Sequence, residues 1–577
     1  MRDRTNLKVR SVSPQRRAAG FMRWINVSAL GGVVLVGAMA VGLARVMTIQ
    51  EALYDPDRIV LRIAHWQLEA GYREALQDAI DAYEARHENV TIKQIAIGGG
   101  VYGQWLQTRL ISDDGPDLAE IGSGRLGSDT HYLPRYFLPL GGLANLPNPY
   151  HVDTDLEHVP WRETFVDGMR GGYRHEVQEY FSVPTVIWTI RVYYNKDLLR
   201  QATGSDEPPA SLGQLFAMCD QIRTFARQSG RGDDLVPIAG NRTHGGRFIS
   251  QYMVPFTAAL EKRLDLDLDG AVGATHYDSD LTGGRGGGSW ETYIGILSGA
   301  VGFDDPHIRG YFACGRRIAE QFNEGFMSLA REDGMFMFAQ QRAVMICSGS
   351  WNTHGLMEQD DFEVGVFDCP LPGPGERWYE LVAGRPDEAT RAGAVCFGVY
   401  KHSPHVERAV DFLHFFTSRK INERFNREAN WVPVVVGAEP SPRMKHFLPD
   451  PRGFVTGITL SYGAHAGQVI HGEMWRFFSG EITYEAMAAR AEEAIHHPRL
   501  GGDKAWARQY DQLRRWCRDQ QRVLAAHNLV DLLGGGAEDV KVKYRRALLQ
   551  QVRFNNGNEM RHRFETMRER GIDALVD

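Results

Sequence analysis

Tryptophans mark the places where this chain could do its chemistry. Trp66, Trp105, Trp161, Trp188, Trp290, Trp351, Trp431 and Trp475 recur through its body, several at strand ends or in loops. A flat aromatic ring accepts the apolar C–H face of a sugar, while the sugar's hydroxyls need a few placed polar groups. Trp105 and Trp475 fall inside helical patterns and read as core. Trp66 and Trp351 each end a strand pattern and fit either core packing or a stacking face. Nucleophilic catalysis has no comparable support: there is no GxSxG elbow, no SxxK and no HExxH. The loop acids Asp113-Asp114 and Asp304-Asp305 could pair for glycoside hydrolysis, but read more simply as solvated surface. Asp265, Asp267 and Asp269, followed by Gly270, match the first half of a calcium loop, although His276 stands where its bidentate Glu belongs. A short edge strand with aspartates outward is the other reading of that segment. Gly98, Gly99, Gly100 and Gly103 open a helix without the Lys-Ser/Thr ending of a nucleotide loop, and read as a strand-to-helix turn.

The elements that must position these residues alternate. Arg58 to Trp66 is a strand pattern, Ala70 to Arg86 a helix pattern, Val90 to Ile97 a second strand, and Asp117 to Ile121 a third. Strand, helix, strand, helix, strand with short connections predicts a parallel sheet covered by helices. Ligands in such sheets sit beyond the carboxyl ends of the strands, here His65 to Gly71 and Gly122 to Arg125. A second αβ region begins near Val183 with the strand-like run Val183 to Asn195 and continues through the helix Ser211 to Gln228. It includes the strand Ala343 to Cys347, which ends at Ser348-Gly349-Ser350-Trp351, and the strand Ala394 to Tyr400. Beyond Asp503 the texture is helical and arginine-rich: Asp503 to Leu532 and Ala537 to Arg570 each read as a helix. That tail fits either a self-packed hairpin or a surface docking onto a partner or anionic lipid.

Composition bounds the function. With 43% hydrophobic and 24% charged residues the chain can bury a sizeable core, and its net charge of -7 argues against a nucleic-acid partner. Six widely spaced cysteines give no zinc pattern and leave any disulfide pairing open. The apolar run Ile25 to Ala44 is about the 20 residues a helix needs to cross a bilayer. Arginines and Lys8 precede it, so the expectation is a retained transmembrane anchor with the body outside the cytoplasm. Ala38-Met39-Ala40 offers the alternative of a cleaved signal peptide and a free periplasmic protein.

Six segments, in order, resemble the extracellular solute-binding proteins of family 1, the carbohydrate receptors of ABC importers. They are RIVLRIAHW, GPDLAEIGSG (Gly115 to Gly124), VPTVIWTIRVYYNKDLL (Val183 to Leu199), PPASLGQLFAMCDQI (Pro208 to Ile222), FAQQRAVMICSGSW (Phe338 to Trp351) and AGAVCFGVYKHSPHVERAVDFLHFF (Ala392 to Phe416). The resemblance implies an α/β, two-lobe periplasmic-binding-protein-like fold over residues 58–500, closing on its ligand about a hinge. It places His65, Trp66, Glu69, Ser123, Arg125, Trp188 and Trp351 at the cleft. Ile121, Gly122 and Gly124 stand where the family's maltose binders carry gripping residues, so maltose itself is not implied. The expectation is thus an N-terminal membrane helix within residues 1–50, a two-lobe binder, and a C-terminal helical extension over 501–577. The binder takes up a sugar or oligosaccharide outside the cytoplasm and delivers it to ABC-type permease subunits; it needs no cofactor unless calcium binds at Asp265, Asp267 and Asp269. A polysaccharide-degrading enzyme and a sugar sensor signalling through the tail are the alternatives.

Overall fold

The computed structural model describes residues 58–501, apart from 70, 123–128, 175–178, 233, 261–295, 298, 360, 390–392 and 454–463, and isolated helical positions beyond them. A small unit contributes residues 58–60 and 87–91 to these. Within it Ile59 N–H donates to the Asn89 carbonyl (2.8 Å) and Arg58 Nε to Thr91 Oγ1 (2.8 Å). Everything else belongs to a second unit, which is built as two α/β lobes.

The first lobe carries β1 (Ile59–His65) from Leu61 on, α1 (Tyr72–Glu84), β2 (Val90–Ala96) from Ile92 on, α2 (Gly99–Ile111) and β3 (Leu118–Glu120). β1 runs parallel to β3, with Ile63 opposite Leu118 and Ala64 opposite Ala119. Helix α1 forms because Tyr72, Ala75, Leu76, Ala79, Ile80 and Tyr83 repeat at helical spacing and are all buried. Gly71, at φ +83°, supplies the left-handed turn into it.

From β4 (Val186–Ile187) the chain crosses into the second lobe through β5 (Ile190–Asn195). The single strand expected over Val183 to Asn195 is therefore two, broken at Trp188-Thr189, because the halves pair in different sheets. The second lobe adds α3 (Leu212–Gln228), β6 (Val236–Ala239), α4 (Arg242–Ser250), α5 (Pro306–Ala319), α6 (Arg331–Ala339), β7 (Ala343–Gly349) and β8 (Val364–Phe367). Its sheet has the order β8-β5-β7-β6, antiparallel except for the β6–β7 pair. β7 is buried at all seven positions, as befits an interior strand read from an unbroken apolar run.

The chain returns through β9 (Gly393–Ala394) and β10 (Phe397–Val399), then runs through α7 (Val406–Phe416), α8 (Arg419–Glu428) and β11 (Val432–Pro433). β10 joins the first sheet, antiparallel to β3, giving the order β10-β3-β1-β2. Between β9 and β10, Val395 takes φ +48°, a backbone state that a β-branched residue seldom adopts, where the chain switches sheets. Helices α9 (Ala464–Phe478) and α10 (Tyr484–Ile495) complete the second lobe.

The crossing segments meet in a three-stranded sheet, β9-β4-β11, and are pinned on both sides. On the first-lobe side Thr185 N–H donates to Ala394 O (3.1 Å), its hydroxyl donates to Val395 O (2.9 Å), and Asn422 Nδ2 donates to Thr185 O (2.8 Å). On the second-lobe side the Arg191 side chain, 3% exposed, makes a two-pronged contact with Glu388 (2.8 and 2.8 Å) and meets Asp368 at 2.9 Å. It also donates to the carbonyls of Ile190, His446 and Leu448. Arg191 thus ties together all three chain segments that join the lobes.

The expected membrane-spanning helix needs correction. Among the described residues no helix is long and apolar enough to cross a membrane. Ile25 to Ala44, on which that expectation rested, lies outside them. Membrane attachment through an N-terminal helix and a single-pass location are therefore withdrawn. The calcium loop at Asp265, Asp267 and Asp269 also lies outside the described residues. So does most of the tail, where Lys504, Ala507, Asp511, Arg515 and Arg518 are helical.

Candidate binding cleft

Between the lobes the structure assembles a line of rings. Trp188, in the break between β4 and β5, lies with its ring centroid 4.5 Å from that of Trp351 and 5.9 Å from that of Trp431. Trp431 in turn meets Tyr72 at 4.9 Å, and Tyr72 meets His65 at 5.1 Å. Trp351 comes from the turn after β7 in the second lobe; Trp431 and Tyr72 belong to the first. Trp188 is the least buried of the chain's cleft tryptophans, for Trp66, Trp351 and Trp431 are 8%, 7% and 2% exposed. Its indole N–H is buried with no hydrogen-bond partner among the described residues. Trp351 has Gly349 against one part of its ring and the Arg247 guanidinium 4.5 Å from its centroid, a cation–π contact.

Polar groups flank the rings from both lobes. In the loop after β1, the Trp66 backbone N–H donates to Glu120 Oε2 (3.2 Å) and the Gln67 amide to Glu120 Oε1 (2.5 Å). Glu120 is fully buried at the end of β3, so the carboxylate of one strand end fixes the loop of its neighbour. Glu69 projects from the same loop. One of its oxygens accepts the Leu68 N–H (3.0 Å), and the other lies 3.6 Å from Nη2 of Arg331, which opens α6 in the opposite lobe. Arg331 Nη2 donates to Asn352 Oδ1 (3.0 Å), and Asn352 Nδ2 donates to Ser348 Oγ (2.8 Å). Asn352 follows Trp351 in the chain, at the turn after β7.

Two buried histidines support this frame. His65 ends β1 with no exposure, its Nε2 2.9 Å from Gln94 Oε1, and burial pushes its pKa down to about 4. His244 in α4 lies between the carbonyls of Cys347 (3.1 Å from Nδ1) and Arg331 (3.2 Å from Nε2), and burial likewise lowers it to about 4. A neutral imidazole carries one N–H, so only one of those carbonyls receives a hydrogen bond from it.

Of the residues expected at the cleft, Trp188 and Trp351 pack against each other, Trp66 packs against Tyr102 (5.0 Å), Glu69 faces Arg331, and His65 is buried. Ser123 and Arg125 lie outside the described residues. Sequence reasoning did not single out Arg331, Asn352 or Glu120, nor the packing of Trp431 against Trp188. Glu120 had a signal, being the last residue of the strand Leu118–Glu120, but the strand-end rule pointed to the loop beyond it. Among the described residues no group of three or more His, Cys, Asp or Glu could hold a metal.

A profile described as bacterial extracellular solute-binding protein matches residues 78–446, well over half of the chain. No curated protein matches it. Many solved structures share the fold, three of them as follows. The GacH receptor of Streptomyces glaucescens, solved unliganded and with acarbose, is 17% identical, with 76% of this chain and 97% of that one covered and a TM-score of 0.52. A protein of xylan utilization from Caldanaerobius polysaccharolyticus is 15% identical, with 76% and 100% covered and a TM-score of 0.52. A chitin oligosaccharide binding protein is 16% identical, with 78% and 100% covered and a TM-score of 0.52. The chain belongs to the bacterial extracellular solute-binding proteins, a family of binders and not of enzymes.

Proposed function

We propose that this chain binds a sugar or oligosaccharide between its lobes, outside the cytoplasm, and delivers it to an ABC-type permease. The carrying observation is the ring line from Tyr72 through Trp431 and Trp188 to Trp351, which crosses from one lobe to the other with Glu69, Arg331 and Asn352 at its side. Apolar faces next to a few fixed polar groups suit a pyranose ring, which carries both kinds of surface. The orphaned indole N–H of Trp188 would find an acceptor in a ligand oxygen, relieving a desolvation cost of about 1–3 kcal/mol. Closure couples to binding because a ligand touched from both lobes favours their approach over their separation. The three structural relatives are described in terms of acarbose, xylan and chitin oligosaccharide, and the same class of ligand is carried here as a proposal. A thermal-shift screen of the full chain against neutral mono- and oligosaccharides tests it. A binder gains about 2.7 kcal/mol of stability at a ligand concentration of 100 Kd. Melting temperatures unmoved by every saccharide would refute the reading.

A further inference from the structure

We infer that Glu69 and Arg331 form the cleft's charge filter: they admit a neutral sugar carrying adjacent hydroxyls and reject saccharides with an anionic or cationic group at that point. This rests on the sugar-binding reading and adds the pair that decides which sugars enter. The two side chains come from opposite lobes and face each other at 3.6 Å, an ion pair too long for a hydrogen bond between those atoms. Neither is spent on the other. Arg331 uses Nη2 on Asn352, and Glu69 uses one oxygen on the Leu68 N–H. The side chains stay 37% and 21% exposed, so each keeps polar capacity for a guest.

A pair of neighbouring hydroxyls matches this arrangement. One hydroxyl donates to the Glu69 carboxylate, and the next accepts from the Arg331 guanidinium. Both charges then remain compensated as the lobes close and water leaves. A uronate carboxylate that pairs with Arg331 takes the counter-charge from Glu69, and an ammonium that pairs with Glu69 takes it from Arg331, so either guest leaves two like charges together with one partner as water leaves. Like charges brought face to face in a closing site are a repulsive device that discriminates between ligands of similar shape. Asn352, the residue after Trp351, accepts from Arg331 and so ties the filter to the turn that carries that indole.

Titration calorimetry of the full chain tests this with maltotriose, xylotriose and triacetylchitotriose as neutral probes, trigalacturonate as the acidic probe and the glucosamine trimer as the cationic one. The wild type should bind a neutral trisaccharide about tenfold or more tighter than either charged probe. Glu69→Gln should raise affinity for trigalacturonate about tenfold, and Arg331→Gln should do so for the glucosamine trimer, each while weakening the neutral ligand. Arg331→Lys keeps the charge and should go on rejecting the cationic probe. Unchanged melting temperatures for the variants confirm their folding, and Glu69→Gln decides alone if Arg331→Gln does not fold. Neutral binding with the wild-type ranking kept in both variants overturns the filter and leaves sugar binding standing, as does a wild type that prefers a charged probe. A wild type that binds no saccharide overturns both.

Discussion

The indole of Trp351 lies against the α-carbon of Gly349, two residues before it at the end of β7. A Cβ at residue 349 would occupy space that the ring atoms already fill. The backbone there is extended (φ -88°), so alanine is conformationally acceptable and the conflict is purely steric. Gly349→Ala should therefore push Trp351 out of line with Trp188. Expected are a cost of about 1–3 kcal/mol in urea unfolding, a changed tryptophan emission and a weaker response to sugar. Wild-type emission and affinity would show that Trp351 moves without consequence.

The tryptophans should divide by role. Trp66 and Trp351 are more than nine-tenths buried, and their truncation to alanine should cost about 3–5 kcal/mol of stability through lost packing. Trp188, less buried and central to the ring line, should behave differently: Trp188→Ala should leave the fold largely intact and weaken sugar binding about ten- to hundredfold, or roughly 1.4–2.8 kcal/mol. Urea midpoints and calorimetry on the three variants separate the two effects.

Arg191 should be the most sensitive charge in the chain. Arg191→Met leaves Glu388 with only the Asp450 N–H and takes the guanidinium from the backbone carbonyls of His446 and Leu448, where the crossing segments meet. Removing one partner of a buried ion pair costs about 3–5 kcal/mol, and the partial exposure of Asp368 and Glu388 puts this case toward the lower figure. Replacing Glu388 by leucine in the same variant should restore part of that loss. A single variant as stable as wild type would show that the hinge does not depend on this clamp.

Acid should unfold the protein early. His65, His244 and His414 are all held near pKa 4 by burial, against 6.5 for a free imidazole. Between those values the unfolded chain binds protons that the folded one refuses, so their stabilisation is complete above about pH 6.5 and is lost as pH falls toward 4. One such ring accounts for about 3 kcal/mol. Asp167 opposes them: burial raises it to about 6, so its burial costs stability above that pH and ceases to do so as it protonates. His151 is likewise lowered to about 4, chiefly by burial, so the rings outweigh the one carboxyl. Urea midpoints at pH 7.5 and 5 should show a marked loss at the lower pH; equal midpoints would contradict this.

Much of the frame was legible because the residues that build it follow simple rules. Ile59–His65 is rich in Ile, Val and Leu, Ala343–Gly349 opens on five apolar residues, and Tyr72–Glu84 repeats its apolar residues at helical spacing. The strand-end rule pointed to the loop His65 to Gly71, and the family resemblance to Glu69 and Trp351. What stayed hidden depends on which sheet a strand chooses. Val183 to Asn195 looks uniform, yet it splits at Trp188 because its halves pair in different sheets with partners far along the chain, Gly393 for Ile187 and Gly349 for Ile190. Arg331 carries no local signal at all. Its meaning comes from facing Glu69 across 262 positions of chain, a relation only tertiary structure creates.

Isothermal calorimetry of the full chain with neutral oligosaccharides tests sugar binding by lobe closure most directly, with the saccharide recovered and analysed afterwards. Expected are a saturable one-to-one heat, a negative heat-capacity change from buried apolar surface, and saccharide returned uncleaved. No saturable heat from any neutral oligosaccharide, or recovery of shortened products, would contradict it.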